Sequence, residues 1–87
     1  MQKLEVKRTT YLIQGCTEPC IIVKNKNNNP KTYVRISNIY RLVGPCTLAL
    51  EEFIDGEKNS FEEYNGDLDN LTDLEAIRLA KDFSVYI

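Results

Sequence analysis

Three cysteines are the residues of this sequence whose chemistry is easiest to test. Cys16 and Cys20 form a C-x3-C pair, and Cys46 lies far along the chain. Structural zinc sites use four ligands, usually two such pairs, so the fourth ligand here would be a carboxylate such as Glu18, a water or a second chain. We therefore predict no metal and no cofactor. Cys20 and Cys46 are expected to be small buried residues in strands, and Cys16 a turn residue.

The sequence contains no histidine, so it has few candidates for catalytic residues. That absence removes histidine general bases, His-activated nucleophiles and most transition-metal sites. The segment that starts at Asp67 resembles a calcium loop, but Thr72 stands where that loop requires glycine. We predict that the protein is not an enzyme and has no catalytic residues.

Charge is divided unevenly along the 87 residues. Residues 1–44 carry eight basic groups and two acidic ones, whereas residues 45–87 carry three basic groups and eleven acidic ones. Between Arg41 and Arg78 the only basic residue is Lys58. An asymmetry of this kind indicates a charged surface for a partner of the opposite sign.

The acidic half gives the first functional hypothesis, a small protein-binding module. Carboxylates in a regular row can imitate nucleic-acid phosphates, so the expected partner is a larger protein or complex with a basic surface. A phage-type or mobile-element-type inhibitor of a nucleic-acid-handling complex fits this profile. Eight carboxylates, expected to face outward, form the predicted contact surface: Glu51, Glu52, Asp55, Glu57, Glu62, Glu63, Asp67 and Asp69.

The basic half gives an alternative, a domain that binds single-stranded nucleic acid. Cations interleaved with aromatic rings on a sheet face hold phosphates and stack on bases. The candidate residues are Lys7, Lys24, Tyr33, Arg35 and Arg41, with Tyr11 as a further candidate. A third hypothesis is a structural subunit of a homo-oligomer, in which Ser84–Ile87 adds to the sheet edge of a neighbour.

The first half of the chain has the period-two alternation of an antiparallel sheet with one buried face. The expected strands begin near Leu4, at Cys20, at Thr32, at Cys46 and at Asn59. Turns are expected from Gly15 to Pro19, over the asparagine-rich stretch from residue 25 to 30, at Gly44-Pro45 and at Asp55-Gly56.

One helix is expected to start after Thr72, because Thr72-Asp73-Leu74-Glu75 is a capping box. Ala76, Ala80 and Phe83 share its apolar face. Ser84–Ile87 is either an edge strand or a packed tail. The predicted fold class is α+β: an antiparallel, meander-like sheet of four to five strands with a C-terminal helix packed on one face, all within a single domain of residues 1–87.

No apolar run is long enough to span a membrane as a helix, and the N-terminus lacks the apolar region of a signal peptide. We therefore expect a cytoplasmic protein, located in the host cytoplasm if a phage encodes it. Its thiols are then expected to be reduced.

Overall fold

Five strands follow one another in a computed structural model that describes residues 4–25, 31–39, 47–85 and 87. Each strand pairs antiparallel with the next, so that the sheet order equals the chain order. The predicted fold class, an antiparallel meander with one C-terminal helix, is confirmed. The elements are β1 (Leu4–Ile13), β2 (Cys16–Asn25), β3 (Thr32–Ile39), β4 (Thr47–Ile54), β5 (Glu57–Asn65), a 3-10 helix (Leu68–Asn70) and α1 (Asp73–Phe83).

One face of the sheet builds the core, as the alternation predicts. In β3, Val34 and Ile36 are fully buried and alternate with half-buried Tyr33 and Arg35. In β2, Ile21 and Val23 continue this buried row, whereas β4 is buried on both faces from Thr47 to Glu52. The core consists of Ile21, Val23, Val34, Ile36, Leu48, Leu50, Leu68, Leu71, Ala76, Ala80 and Ile87.

Helix α1 lies on this core face and begins where the sequence predicts. The Thr72 hydroxyl accepts a hydrogen bond from the Glu75 backbone N–H, and the Glu75 carboxylate accepts one from the Thr72 N–H. These two bonds complete the capping box. The Thr72 N–H and hydroxyl that donate to the Glu75 carboxylate lower the pKa of Glu75. Ala76 and Ala80 are fully buried, which lets the helix backbone come close to the sheet.

The β1–β2 turn is shorter than predicted. It consists of Gln14 and Gly15, both in the left-handed region with φ of 50° and 78°. The predicted turn over Gly15–Pro19 is wrong, because Cys16–Pro19 form the first part of β2 and pair with β1. Pro19 fits there because β2 pairs with β3 only from Cys20 onward, so its missing N–H breaks no sheet hydrogen bond.

The predicted Asp55-Gly56 turn is confirmed, with φ of 50° and 86°. Strand β5 begins directly after it at Glu57, two residues earlier than expected, and a bulge at Glu52/Phe53 accommodates the shift in register. The predicted end of the third strand, the Gly44-Pro45 turn, Cys46 and most of the loop from residue 25 to 30 lie outside the described residues.

Two alternatives were predicted for the C-terminal segment, an edge strand and a packed tail, and the structure shows the packed tail. Ser84 and Ile87 are buried, and Ile87 belongs to the core. The contact that the homo-oligomer hypothesis assigned to Ser84–Ile87 stays a prediction: Ser84 and Ile87 are buried in their own chain, whereas Val85 is 89% exposed.

Candidate binding surface

The sheet face opposite α1, called here the open face, carries no helix in the described part of the chain. The antiparallel register and the two-residue period of a strand place alternate side chains of all five strands on this face. The open face comprises Glu5, Lys7, Thr9, Tyr11, Ile13, Cys16, Glu18, Cys20, Ile22, Lys24, Tyr33, Arg35, Ser37, Ile39, Thr47, Ala49, Glu51, Phe53, Lys58, Phe61, Glu63 and Asn65.

Arg35 lies at the centre of the open face and organises its neighbours. The Arg35 guanidinium carbon lies 4.1 Å from the centre of the Tyr11 ring and 4.9 Å from that of Phe53. Phe53 also stacks on Tyr33, with ring centres 4.8 Å apart and planes inclined by 11°. Arg35 Nη2 donates to Glu51 Oε1 at 2.9 Å. The result is one connected cluster of aromatic rings and a neutralised cation across three strands.

Glu51 is part of this cluster and does not face outward. It is only 8% exposed, and Lys58 Nζ donates to its second carboxylate oxygen at 3.1 Å. Burial raises the pKa of the Glu51 carboxyl, but the hydrogen bonds and charges of Arg35 and Lys58 outweigh it and leave the pKa below its ordinary value. The prediction of an outward-facing carboxylate is wrong for Glu51, because two cations from neighbouring strands hold it against the sheet.

Glu52 points to the other face and is 3% exposed. Its carboxylate accepts hydrogen bonds from the Ser84 hydroxyl, from Asn59 Nδ2 at 2.7 Å and from Ser60 Oγ at 3.2 Å. Exposure is therefore also wrongly predicted for Glu52. Its carboxylate fastens the end of α1 to β4 and β5.

The remaining six predicted carboxylates are distributed over separate parts of the fold. Asp55 lies in the β4–β5 turn and accepts a hydrogen bond from the Lys31 N–H at 3.2 Å. Glu62 lies on the helix side of β5 and accepts one from the Tyr64 hydroxyl at 3.0 Å, which raises the pKa of Tyr64. Asp67 caps the 3-10 helix. Glu57 begins β5, Glu63 lies on the open face, and Asp69 lies within the 3-10 helix. The sheet does not bring the eight carboxylates together on one surface.

The basic candidates are brought together to a greater extent. Lys24 pairs with Tyr33, and Lys7 and Arg35 pair with the same residue of β2 from opposite sides, so all four lie on the open face. Arg41 lies outside the described residues. However, the charge of Arg35 is compensated by Glu51, and the rings of Tyr33 and Phe53 are stacked on each other.

A groove of about 510 Å³ crosses the open face. Its floor contains the small residues Ser37 and Ala49, and its walls include Tyr11, Ile13 and Phe61. Phe61 is 49% exposed and Ile13 is 43% exposed, although both are large apolar side chains. The groove is therefore a concave, partly apolar surface with small residues below and larger ones at the sides.

The described charges that line this groove are both negative. They are Glu18, from β2, and the paired carboxylate of Glu51. No described cation lines the groove. Because Arg35 and Lys58 already pair with Glu51, Glu18 is the negative charge that the positive charge of a bound residue would meet in the groove.

The two described cysteines lie on the open face of β2, four residues apart. That spacing separates them by about 13 Å along a strand, which is too far for a disulfide. Cys20 is buried, as predicted, and burial raises the pKa of its thiol. Cys16 is exposed and is the first residue of β2 instead of a turn residue. Within the described residues, no cluster of Cys, Asp or Glu could hold a metal ion.

Phe53, Phe61 and Glu18 belong to this surface and were not among the predicted site residues. Phe53 lies directly opposite Tyr33, so its role depends on the pairing register of β3 with β4. The alternation of side chains in β4, counted back from the Asp55-Gly56 turn, could have placed Phe53 on the open face. The bulge changes which residues of β5 face each side of the sheet, so counting from the same turn does not place Phe61.

Comparison with known proteins adds no relative, since no family model, curated protein or solved structure matches this chain. Among the described residues, no helix is long and apolar enough to cross a membrane.

Proposed function

We propose that this chain is a small, non-enzymatic protein-binding module that contacts its partner through the groove of the open face. The observation that carries the proposal is the pair of half-exposed apolar side chains, Ile13 and Phe61, beside a floor of small residues. Concave surfaces with aromatic anchors are typical of the energetically dominant part of protein interfaces.

The partner that fits is a protein that inserts an apolar side chain next to a lysine or arginine. The negative charge of Glu18 at the groove favours such a sequence, since Glu51 is already paired with Arg35 and Lys58. This proposal keeps the basic partner expected from the acidic half, but it moves the contact from the dispersed carboxylates to the groove. If that partner handles nucleic acid in the cytoplasm, occupation of its basic surface makes the module an inhibitor.

The test uses a photo-crosslinking amino acid at position 61 and, as a matched control, at Leu74, which is exposed on the outer side of α1. We expect one protein to be crosslinked from position 61 only. With that protein purified, Phe61→Ala should weaken binding by at least about tenfold, which is about 1.4 kcal/mol, and Leu74→Ala should leave it unchanged. Equal crosslinking from both positions, or an unchanged Kd for Phe61→Ala, would contradict the proposal.

Single-stranded nucleic-acid binding is the second candidate, favoured by the placement of Lys7, Lys24 and Tyr33 on one face. Fluorescence anisotropy with labelled DNA and RNA oligomers at low salt separates the two functions. If the second function holds, replacing Lys7 and Lys24 by alanine lowers both the affinity and its dependence on salt, whereas Lys81→Ala on α1 does neither. No binding at low salt eliminates it.

A further inference from the structure

The two edges of the sheet differ in how well they are protected against pairing with another strand. Edge strands offer unpaired N–H and C=O groups, and proteins protect them with charges and bulges. At the edge strand β5, a bulge interrupts the register, and Glu62 and Glu63 stand side by side. The other edge strand, β1, pairs with β2 over ten successive residues with no bulge.

The turn that follows β1 determines which of its backbone groups face outward. Positive φ at both Gln14 and Gly15 fits a two-residue type I′ turn, in which the flanking Ile13 and Cys16 form a hydrogen-bonded pair. Hydrogen-bonded and non-hydrogen-bonded pairs alternate along an antiparallel ladder. Pro19, which has no N–H, falls opposite β1 in a non-hydrogen-bonded position, in agreement with this assignment.

The outward-facing backbone groups of β1 therefore belong to Val6, Arg8, Thr10 and Leu12. No backbone hydrogen bond from the described turns, loops or helix caps reaches them. The Arg8 side chain is directed toward α1, where Nη2 contacts Asp73 Oδ1 at 3.0 Å, so its charge does not block the edge. Leu12 is 75% exposed, a large apolar side chain without cover in its own chain.

We propose that β1 pairs antiparallel with β1 of a second copy, about a two-fold axis that passes midway between the two Thr9 residues, a register called here the axis through Thr9. Residues of β1 whose backbone groups face outward must lie opposite the outward-facing residues of the second copy. The register is therefore centred on one residue, which faces its own counterpart, and not on the bond between two residues. This register places Val6 opposite Leu12 of the second copy and Lys7 opposite its Tyr11. It pairs residues 5–13 of both copies and provides an apolar neighbour for each exposed Leu12.

Neighbouring registers are less favourable. An axis through Arg8 places two arginines directly opposite each other, which is destabilising. An axis through Thr10 shortens the paired segment and leaves Leu12 opposite Arg8. The register through Thr9 brings no like charges into opposition, and this self-complementarity is the reason for proposing a second copy as the occupant.

This proposal goes beyond binding at the groove. A two-fold axis perpendicular to the sheet joins two five-stranded sheets into one of ten strands, with both helices on one side. The two open faces then lie side by side, and the only remaining edges are the protected β5 strands. The dimer would present two grooves to a partner.

The first test is the mass in solution, measured by sedimentation equilibrium over a range of concentrations. We expect twice the 10.0 kDa chain mass for the natural protein. Thr10→Pro removes an outward N–H without removing a bond to β2, and we expect it to weaken dimerisation by at least about tenfold. Thr10→Val, the matched control, keeps the N–H and should remain dimeric. A natural protein that is monomeric at all concentrations would overturn the proposal.

Cross-linking tests the register without depending on the folding of the proline variant. Two Thr9 residues across the axis form a non-hydrogen-bonded pair with Cα atoms about 4.5 Å apart, within the range for a disulfide. Cys20 lies directly opposite Thr9 in β2 and could form a disulfide within the chain, so the test uses a protein in which Cys16, Cys20 and Cys46 are replaced by alanine. In that background, Thr9→Cys should form a covalent dimer on mild oxidation. Lys7→Cys should not, because this register separates the two positions by about 14 Å. Equal cross-linking of both variants would overturn the register, and none from Thr9→Cys would overturn the interface. Either result leaves binding at the groove unaffected, because the Phe61 crosslink measures it independently.

Discussion

Glu51 and Glu52 are neighbours in β4 but lie on opposite faces of the sheet, and each face uses its carboxylate differently. On the open face, Glu51 is held by two cations, Arg35 and Lys58. Under the helix, Glu52 is held by neutral donors from Asn59, Ser60 and Ser84. Both carboxylates are buried, and a buried carboxylate is costly unless its hydrogen bonds are made. The side chains of the two cations that hold Glu51 still reach solvent, whereas Ser84, which donates to Glu52, is fully buried. The helix side should therefore be the more sensitive of the two.

Loss of the Glu52 carboxylate should have the largest effect. We expect Glu52→Ala to lower the free energy of unfolding by about 3 kcal/mol, because the buried Ser84 and the half-buried Ser60 lose their acceptor, and so does the exposed Asn59. Glu52→Gln keeps one acceptor oxygen and should cost less. Urea unfolding measures both variants. If Glu52→Ala were as stable as the natural protein, the carboxylate would not fasten α1 to the sheet.

Disruption of the open-face pair should have a smaller effect. Glu51→Leu leaves Arg35 beneath the aromatic rings without its carboxylate, and we expect a loss of about 2 kcal/mol. Arg35→Met combined with Glu51→Leu replaces the pair by apolar groups of similar volume. That double variant should lie within about 1 kcal/mol of the natural protein.

The double variant also decides what the ion pair does. If it is as unstable as Glu51→Leu alone, losing the contacts of Arg35 with Tyr11 and Phe53 costs as much as leaving Arg35 without its carboxylate. If it keeps its stability but loses partner binding, the pair positions the groove side chains for recognition.

The different environments of Glu51 and Glu52 also show what could be predicted from the sequence. Alternation in β3 and the capping box at Thr72 specify strands and helix through nearest neighbours in the chain, so the fold class was predictable. The division of charge between the two halves can also be counted from the sequence, but its consequence for the surface depends on which strands pair. Acidic β4 lies beside basic β3 in the sheet, so the two halves of the chain neutralise each other at Arg35 and Glu51.

The aromatic part of the site depends on register. Tyr33 was predicted from the parity of its own strand, whereas Phe53 required the knowledge that β3 and β4 pair at that position. The burial of Glu52 depends on the tail after α1, since Ser84 is 32 residues away in sequence. No local pattern contains that contact.

The pH dependence of stability offers a finer comparison of the two faces. The pKa of Glu51 is lowered in the folded state, so ionised Glu51 stabilises the fold above the ordinary glutamate value of 4.5. This contribution is lost as the pH falls from 4.5 through the lowered folded-state pKa. In urea unfolding from pH 6 downward, Glu51→Gln should therefore lose less stability than the natural protein.

Glu75 is a control for that measurement, because its pKa is also lowered but its partner is the helix cap. Glu75→Gln should remove a different part of the pH dependence and add to the effect of Glu51→Gln, since the two residues share no contact. If the stability of Glu51→Gln fell with decreasing pH as much as that of the natural protein, Arg35 and Lys58 would not hold the Glu51 carboxylate in solution.

The helix cap gives the smallest expected effect and the strictest test that the two faces are independent. Thr72→Ala removes the hydroxyl that accepts from the Glu75 N–H and should lower the free energy of unfolding by about 1 kcal/mol, whereas Thr72→Ser should keep most of it. Because α1 lies on the core face, the same substitution should leave the pKa of Glu51 unchanged in an NMR titration. A shift of that pKa in Thr72→Ala would mean that the sheet transmits a change on the helix side to the open face. Substitutions on the helix side could then alter the groove.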